Sequence, residues 1–124
     1  MIAPPTDEEF DALISAEMDK LPPERVKGLD NVVITYADEP TAEQMRKSRT
    51  NNGLLLGLYE GIPLTERGNN YSLVLPDKIT LFKLPLVRIS RDEADFREHI
   101  RHTLWHETAH FYGLDHDGIR AREK

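Results

Sequence analysis

The segment from His106 to His116 reads His-Glu-Thr-Ala-His-Phe-Tyr-Gly-Leu-Asp-His, and its spacing constrains the fold more than any other part of the chain. Residues four apart on an α-helix lie one turn apart on the same face, so His106 and His110 direct two imidazoles at one point. Gly113 suits the end of such a helix, because glycine adopts the left-handed conformation at little cost. The backbone can then reverse and return His116 to the same point.

Three imidazoles at this spacing are typical of a catalytic zinc site rather than a structural one. His106, His110 and His116 would leave the fourth tetrahedral position of one Zn²⁺ ion open for water. Glu107 lies beside the first ligand, where it can take a proton from that water as a general base. The motif therefore predicts a zinc-dependent hydrolase, and a peptide or protein is the expected substrate.

Neighbouring polar residues are candidates for supporting roles. Tyr112 and Tyr59 could hold the oxyanion that forms when a carbonyl is attacked, although tyrosines more often serve in packing. Asp115 and Asp117 could replace His116 as the third ligand, or hydrogen-bond to a ligating histidine.

The helix that carries the motif has its own start and stop signals. Ser90 followed by Glu93 forms a capping-box pattern, which predicts a helix from about Arg91 to about Tyr112. One arc of this helix should pack on a sheet, and it comprises Phe96, Ile100, Thr103, Leu104 and Phe111. His99 and His102 continue the histidine stripe, but we expect them to lie outside the ligand set because zinc already has three ligands.

The remaining pattern predicts an α+β domain that spans residues 1–124, with a small mixed β-sheet packed against helices and the long active-site helix near the C-terminus. Thr6 and Glu9 form a second capping box before a first helix that ends before Pro22. The last strand before the long helix is a candidate edge strand, to which an extended peptide could add. The other predicted elements are a buried strand Val32–Tyr36, a short helix Thr41–Lys47, a strand or tight segment Gly53–Tyr59, a loop from Gly61 to Asn70, and strands Tyr71–Leu75 and Ile79–Leu84.

Composition narrows the class of partner. The chain contains no cysteine, so thiolate zinc sites and disulfides are excluded. The net charge of −6 disfavours nucleic acid, whose binding depends on lysine and arginine. The charge weakly favours a neutral or basic peptide, or simply maintains solubility. Neither a secretion signal nor a membrane span is apparent, and a cytoplasmic location is expected.

Several segments together carry a family resemblance. They are the zinc motif, Phe10 and Leu13, Val32–Ile34, Leu55–Leu64 with Arg67, and Leu75–Ile79. Over nearly its whole length the chain resembles the minimal zincin-like metallopeptidases, small single-domain bacterial proteins. The resemblance implies a zincin-type fold and a metzincin-like zinc site, without implying a particular substrate.

Two features depart from the patterns of related proteins. Larger metzincins have a methionine turn after the third ligand, whereas Met1, Met18 and Met45 all precede the motif, so no such turn is expected. Relatives in the minimal family often have aspartate where this chain has His116, and a histidine there favours a site of three imidazoles.

Two other functions are compatible with the same residues. The histidine spacing also resembles that of the rRNA-maturation endoribonucleases, but that family usually has glycine at the position of Glu107, and an RNA partner suits the net charge poorly. The second alternative is a non-catalytic zinc-binding module, or an enzyme whose site is covered by the Glu60–Asn70 loop.

Overall fold

A computed structural model describes residues 2–48, 53–62 and 76–113. The elements in chain order are α1 (Asp7–Met18), α2 (Pro23–Lys27), β1 (Val32–Ala37), α3 (Ala42–Ser48), β2 (Gly57–Glu60), β3 (Asp77–Phe82), α4 (Lys83–Ile89) and α5 (Glu93–Phe111). The predicted α+β class is confirmed. The predicted strand Tyr71–Leu75 and most of the Gly61–Asn70 loop lie outside the described residues.

The strands form a mixed sheet in the order β1-β3-β2. Strand β1 is parallel to β3 and aligns Ile34 with Ile79, whereas β2 is antiparallel to β3 and aligns Tyr59 with the same residue. The small mixed sheet predicted from the sequence is therefore confirmed. A parallel pair needs a long crossover connection, and α3 and β2 lie within the connection between β1 and β3.

The prediction that the last strand before the long helix is an edge strand is wrong. That strand is β3, which pairs with a neighbour on both sides, and its Ile79, Leu81 and Phe82 are fully buried. Among the strands of the described residues, the edge position beside the long helix belongs to β2, which contacts α5 more than β3 does. Strand β1 is expected from its sequence to be buried, but it lies at the opposite edge of the described sheet, and Val33 is 45% exposed.

The core lies where α1, α4 and α5 meet the sheet. The capping box of Thr6 and Glu9 is present at the start of α1, as predicted. The apolar face of α5 is buried as its spacing predicts, and Phe96 stacks on Phe10 of α1 with ring centroids 6.0 Å apart. The central apolar cluster comprises Phe10, Ile14, Leu21, Leu81, Leu86, Val87, Phe96, Ile100 and Leu104.

Helix α4 is not predicted by the sequence pattern, and it changes the start of the long helix. Pro85 lies in its first turn, where backbone amides have no partner within the helix, so a proline is tolerated there. Ser90 ends α4 and donates a hydrogen bond from its hydroxyl to the Leu86 carbonyl at 2.7 Å. The predicted Ser90 cap is therefore wrong. Asp92 caps α5 instead, and its side chain accepts from the Asp95 amide at 2.8 Å.

The short helix predicted near Thr41 is confirmed as α3, with Thr41 and Gln44 bonded reciprocally at its start. In the ambiguous segment Gly53–Tyr59, strand β2 begins at Gly57, and it ends one residue beyond the segment at Glu60. Among the helices of the described ranges, none is both long and apolar enough to span a bilayer.

Candidate metal centre

The last turns of α5 bring His106 and His110 together. Their Nε2 atoms are 3.2 Å apart, and the two rings are inclined by 72°. Two nitrogens bound to one tetrahedral zinc ion should be about 3.3 to 3.4 Å apart, given zinc–nitrogen bonds of about 2.0 to 2.1 Å. The two imidazoles are therefore spaced and directed to share one ion.

Glu107 lies on the buried side of the histidine pair, and only 7% of the residue is exposed. Its Oε1 accepts a hydrogen bond from the backbone amide of Tyr59 at 2.9 Å. Burial disfavours the ionised form and raises the pKa of the Glu107 carboxyl to about 7, although the Tyr59 hydrogen bond acts in the opposite direction.

The three side chains form a group that could hold a metal ion. One ligand atom from each of His106, Glu107 and His110 lies within 4.8 Å of the others. Two neutral imidazoles and a nearby carboxyl suit zinc, which accepts nitrogen and oxygen donors. His116, Asp115 and Asp117 lie outside the described residues, so the identity of the third ligand stays a prediction.

Strand β2 lies alongside this group and turns one backbone edge toward it. The Phe82 amide donates to the Leu56 carbonyl at 2.9 Å, so the backbone of Leu56 faces β3. Because backbone groups alternate along an antiparallel pair, those of Gly57 and Tyr59 face away from β3. The Tyr59 amide accordingly reaches Glu107, and Gly57 presents its backbone at the edge of β2 that faces away from β3.

A groove passes over Gly57 and the candidate metal group. It consists of two adjoining hollows of about 350 Å³ and about 310 Å³. Both hollows are lined by Leu55, Gly57, His106 and Glu107. The arrangement therefore has room on both sides of the Glu107 carboxyl.

The two further histidines of the stripe do not join the metal group. His99 lies 3.4 Å from Asp95 through its Nε2 atom, and His102 is exposed. Both line one of the two hollows, so they border the groove.

Neither of the two candidate tyrosines, Tyr59 and Tyr112, directs its hydroxyl proton into the groove. The Tyr59 hydroxyl donates to the buried Asp77 carboxylate at 2.5 Å, and the Tyr112 hydroxyl donates to the Arg25 carbonyl on α2. A phenol has one proton to donate. Both side chains are thus committed to structural partners, and the group that Tyr59 supplies to the site is its amide.

Sequence reasoning did not identify Asp77 or Arg25. Asp77 lies at the start of a strand, and aspartate is uncommon in strands. This unusual position is the one feature of the sequence that could have indicated a special role for Asp77. Arg25 lies in a five-residue helix with no local pattern that points to α5. Its guanidinium stacks over the Trp105 ring at 4.5 Å from the centroid.

Comparisons with known proteins agree with this fold. A conserved hypothetical protein from Thermo thermophilus is similar in structure, with a TM-score of 0.54 and 18% sequence identity over 85% of this chain and 92% of the other. At that identity the likeness shows the fold alone. No curated protein matches the chain. A family model described as zincin-like metallopeptidase matches residues 29–124, which is most of the chain, and the chain therefore belongs to the zincin-like metallopeptidase family.

Proposed function

We propose that this protein is a zinc-dependent metallopeptidase that hydrolyses peptide bonds with Glu107 as the general base. The observation that carries the proposal is the 3.2 Å separation of the His106 and His110 Nε2 atoms beside the buried Glu107 carboxyl. A structural zinc site needs four ligands and no base. A buried carboxyl next to two converging imidazoles is what hydrolysis requires.

A bound zinc ion would supply Lewis acidity, polarising the scissile carbonyl and lowering the pKa of water to about 7. His106 and His110 would hold the ion, and His116 is proposed as the third ligand. Glu107 would accept the proton of the attacking water and pass it to the leaving amine. Burial raises the pKa of this carboxyl in the metal-free protein, whereas the charge of a bound zinc ion would lower it and favour the ionised form that accepts a proton.

The edge of β2 that faces away from β3 is the proposed docking site for the substrate backbone. An extended peptide that paired with Gly57 would lie along the groove, and its scissile bond would pass over Glu107. This docking explains why the site needs no deep cavity, since the backbone of the peptide is held by main-chain hydrogen bonds. It replaces β3, the strand that the sequence suggested for this role.

The experiment that tests the proposal separates metal binding from catalysis. Wild-type protein and Glu107→Gln are loaded with zinc, and cleavage of a mixed peptide library is followed by mass spectrometry. Glutamine keeps an oxygen for the Tyr59 amide but is a very weak base, so we expect full zinc content and a loss of hydrolysis of at least about a hundredfold. Wild-type turnover in the glutamine variant would refute the assignment of the base.

Histidine variants on the same helix provide matched controls for the metal. His110→Asn should lose zinc, whereas His102→Asn should retain it, because His102 lies outside the metal group. Zinc-loaded wild-type protein that cleaves no peptide would favour a non-catalytic zinc module. Salt-dependent RNA binding accompanied by RNA cleavage would favour the endoribonuclease alternative.

A further inference from the structure

We propose that Asp77 is a positioning residue for the general base and acts through Tyr59. This inference rests on the proposed peptidase function. It rests on three contacts of Tyr59, which lies on β2. The hydroxyl contacts Asp77 on the central strand, and the ring and the amide contact Phe111 and Glu107 on α5.

Asp77, which forms the first of these contacts, is buried and is held at the start of the central strand. Asp77 is the first residue of β3, and its amide donates to the Asn31 carbonyl at 2.9 Å. The residue is 4% exposed. Its carboxylate accepts from the Tyr59 hydroxyl at 2.5 Å and from the Ile62 amide at 3.4 Å. The Tyr59 hydroxyl and the Ile62 amide thus both orient this buried carboxylate, and breaking a hydrogen bond to a buried charged group is costly.

Gly61 leaves the space that this carboxylate occupies. Its φ is +156°, and a Cβ atom on it would overlap the Asp77 carboxyl group. The end of β2 therefore folds closely around Asp77. The carboxylate contacts β2 at Tyr59 and the chain just after β2 at Ile62, which fixes the end of the strand from both sides.

Tyr59 transmits this restraint to the site. Its hydroxyl is held by Asp77, its ring packs edge-on against Phe111 with centroids 6.2 Å apart, and its amide donates to Glu107 Oε1 at 2.9 Å. The side chain and the backbone of one residue thus link the central strand to the general base. Strand β2 has four residues, so it is easily displaced if Asp77 releases its end.

The restraint matters because a general base works only within hydrogen-bonding distance of the proton that it takes, and small misplacements lower the rate strongly. The Tyr59 amide sets which Glu107 oxygen faces inward and leaves the other for the water. Loosening Tyr59 would misorient the carboxyl without removing a metal ligand. The expected effect is therefore on kcat, with little change in KM or zinc content.

The test uses zinc-loaded full chains of Tyr59→Phe, Asp77→Ala and the double variant, because alanine leaves no oxygen to accept from the Tyr59 hydroxyl. Tyr36→Phe is the matched control, since Tyr36 lies on β1, which does not pair with β2. We expect each single variant to lower kcat about tenfold, which is less than the loss of about a hundredfold that a displacement of about 1 Å can cause. The double variant should lose no more than Asp77→Ala alone, because both substitutions remove the contact between the Tyr59 hydroxyl and the Asp77 carboxylate. Losses that multiply in the double variant would overturn the proposal.

A second measurement does not depend on activity. Amide hydrogen exchange at Tyr59, followed by NMR in the metal-free proteins, should accelerate about tenfold in both single variants, while the Leu81 amide in the core keeps its wild-type rate. Unchanged exchange at Tyr59 would overturn the positioning role even if kcat fell. If the wild-type protein cleaves no peptide, the proposed function fails, and the exchange data still decide whether Asp77 holds Tyr59 on Glu107.

Discussion

A Cβ atom built on Gly57 would lie 2.6 Å from Cγ2 of Thr103 on α5. Strand β2 therefore approaches the long helix as closely as a bare backbone allows. This approach lets the Tyr59 amide, two residues further along the strand, reach the Glu107 carboxyl. Glycine is required at this position because of close packing, and no unusual backbone torsion is involved.

Gly57→Ala should destabilise the protein by about 1 to 3 kcal/mol through overpacking. Thr103→Ser removes the methyl group that the new Cβ would meet, so the double variant should recover most of the loss. Recovery should be incomplete, since the Thr80 carbonyl oxygen is also close, at 3.2 Å. Urea unfolding of the four proteins measures the coupling. Equal stability of wild type and Gly57→Ala would show that β2 can move away from α5 without penalty.

The contribution of Glu107 to the stability of the metal-free protein should fall as pH rises from about 4.5 to about 7. Burial raises the pKa of Glu107 from 4.5 to about 7, so within this window the folded state binds a proton that the unfolded state has released. Unfolding free energy therefore decreases with pH, by about 3 kcal/mol at most for this group. Glu107→Gln removes the titration. The difference between the two proteins, measured by urea unfolding, should change with pH across the window and become constant below about pH 4.5, where Glu107 is protonated in both the folded and the unfolded state.

Removing the metal should lower the melting temperature only when both histidines are present. Zinc at a hundred times its dissociation constant stabilises the folded state by about 2.7 kcal/mol, provided that the unfolded chain does not bind it. Thermal scans with zinc or with a chelator should therefore differ for wild type and coincide for His110→Ala. A zinc-dependent shift of wild-type size in that variant would show that the ion binds elsewhere.

Arg25 should contribute more to stability than its surface location suggests. Its guanidinium stacks over Trp105 and Tyr112, with distances to the ring centroids of 4.5 and 5.6 Å. Arg25→Ala should cost about 1 to 2 kcal/mol, and Arg25→Lys should not restore it, because an ammonium group lacks the planar stacking surface.

Arg88→Ala is the matched control for that variant. Arg88 pairs with Glu39 at 2.7 Å, but both side chains are about half exposed, so its removal should cost less than about 1 kcal/mol. Chemical unfolding of the three arginine variants provides the comparison. A loss in Arg25→Ala no greater than that in Arg88→Ala would contradict the stacking role.

The long helix could be predicted from the sequence because its determinants are local. The spacing of Phe96, Ile100 and Leu104 gives one apolar face with the period of a helix, and these residues are buried as predicted. The same period places His106 and His110 on one side of the helix, so the pairing of these two histidines follows from local spacing alone. The first helix likewise follows from Thr6 and Glu9, which are three residues apart.

Local patterns failed where a competing element took the same residues. Ser90 matches an N-cap by its spacing from Glu93, yet its hydroxyl bonds to the Leu86 carbonyl at the end of α4. Helix α4 is hard to predict because it contains Pro85, and proline usually argues against a helix. The predicted strand Ile79–Leu84 continues into α4, because β3 ends at Phe82 and α4 begins at Lys83. Periodicity does not distinguish a short buried strand from the first turn of a helix.

Local patterns were sufficient to predict the histidine face of α5, the α+β class and the glycine that follows α5. The central position of β3, the position of β2 beside the candidate site and the link from Asp77 through Tyr59 to Glu107 follow only from the packing of distant segments. Tyr59 and Glu107 are 48 residues apart in the chain, and Tyr59 and Asp77 are 18 apart. Periodicity and capping report interactions within a few residues, whereas strand order and the partners of buried polar groups depend on which distant segments pack together.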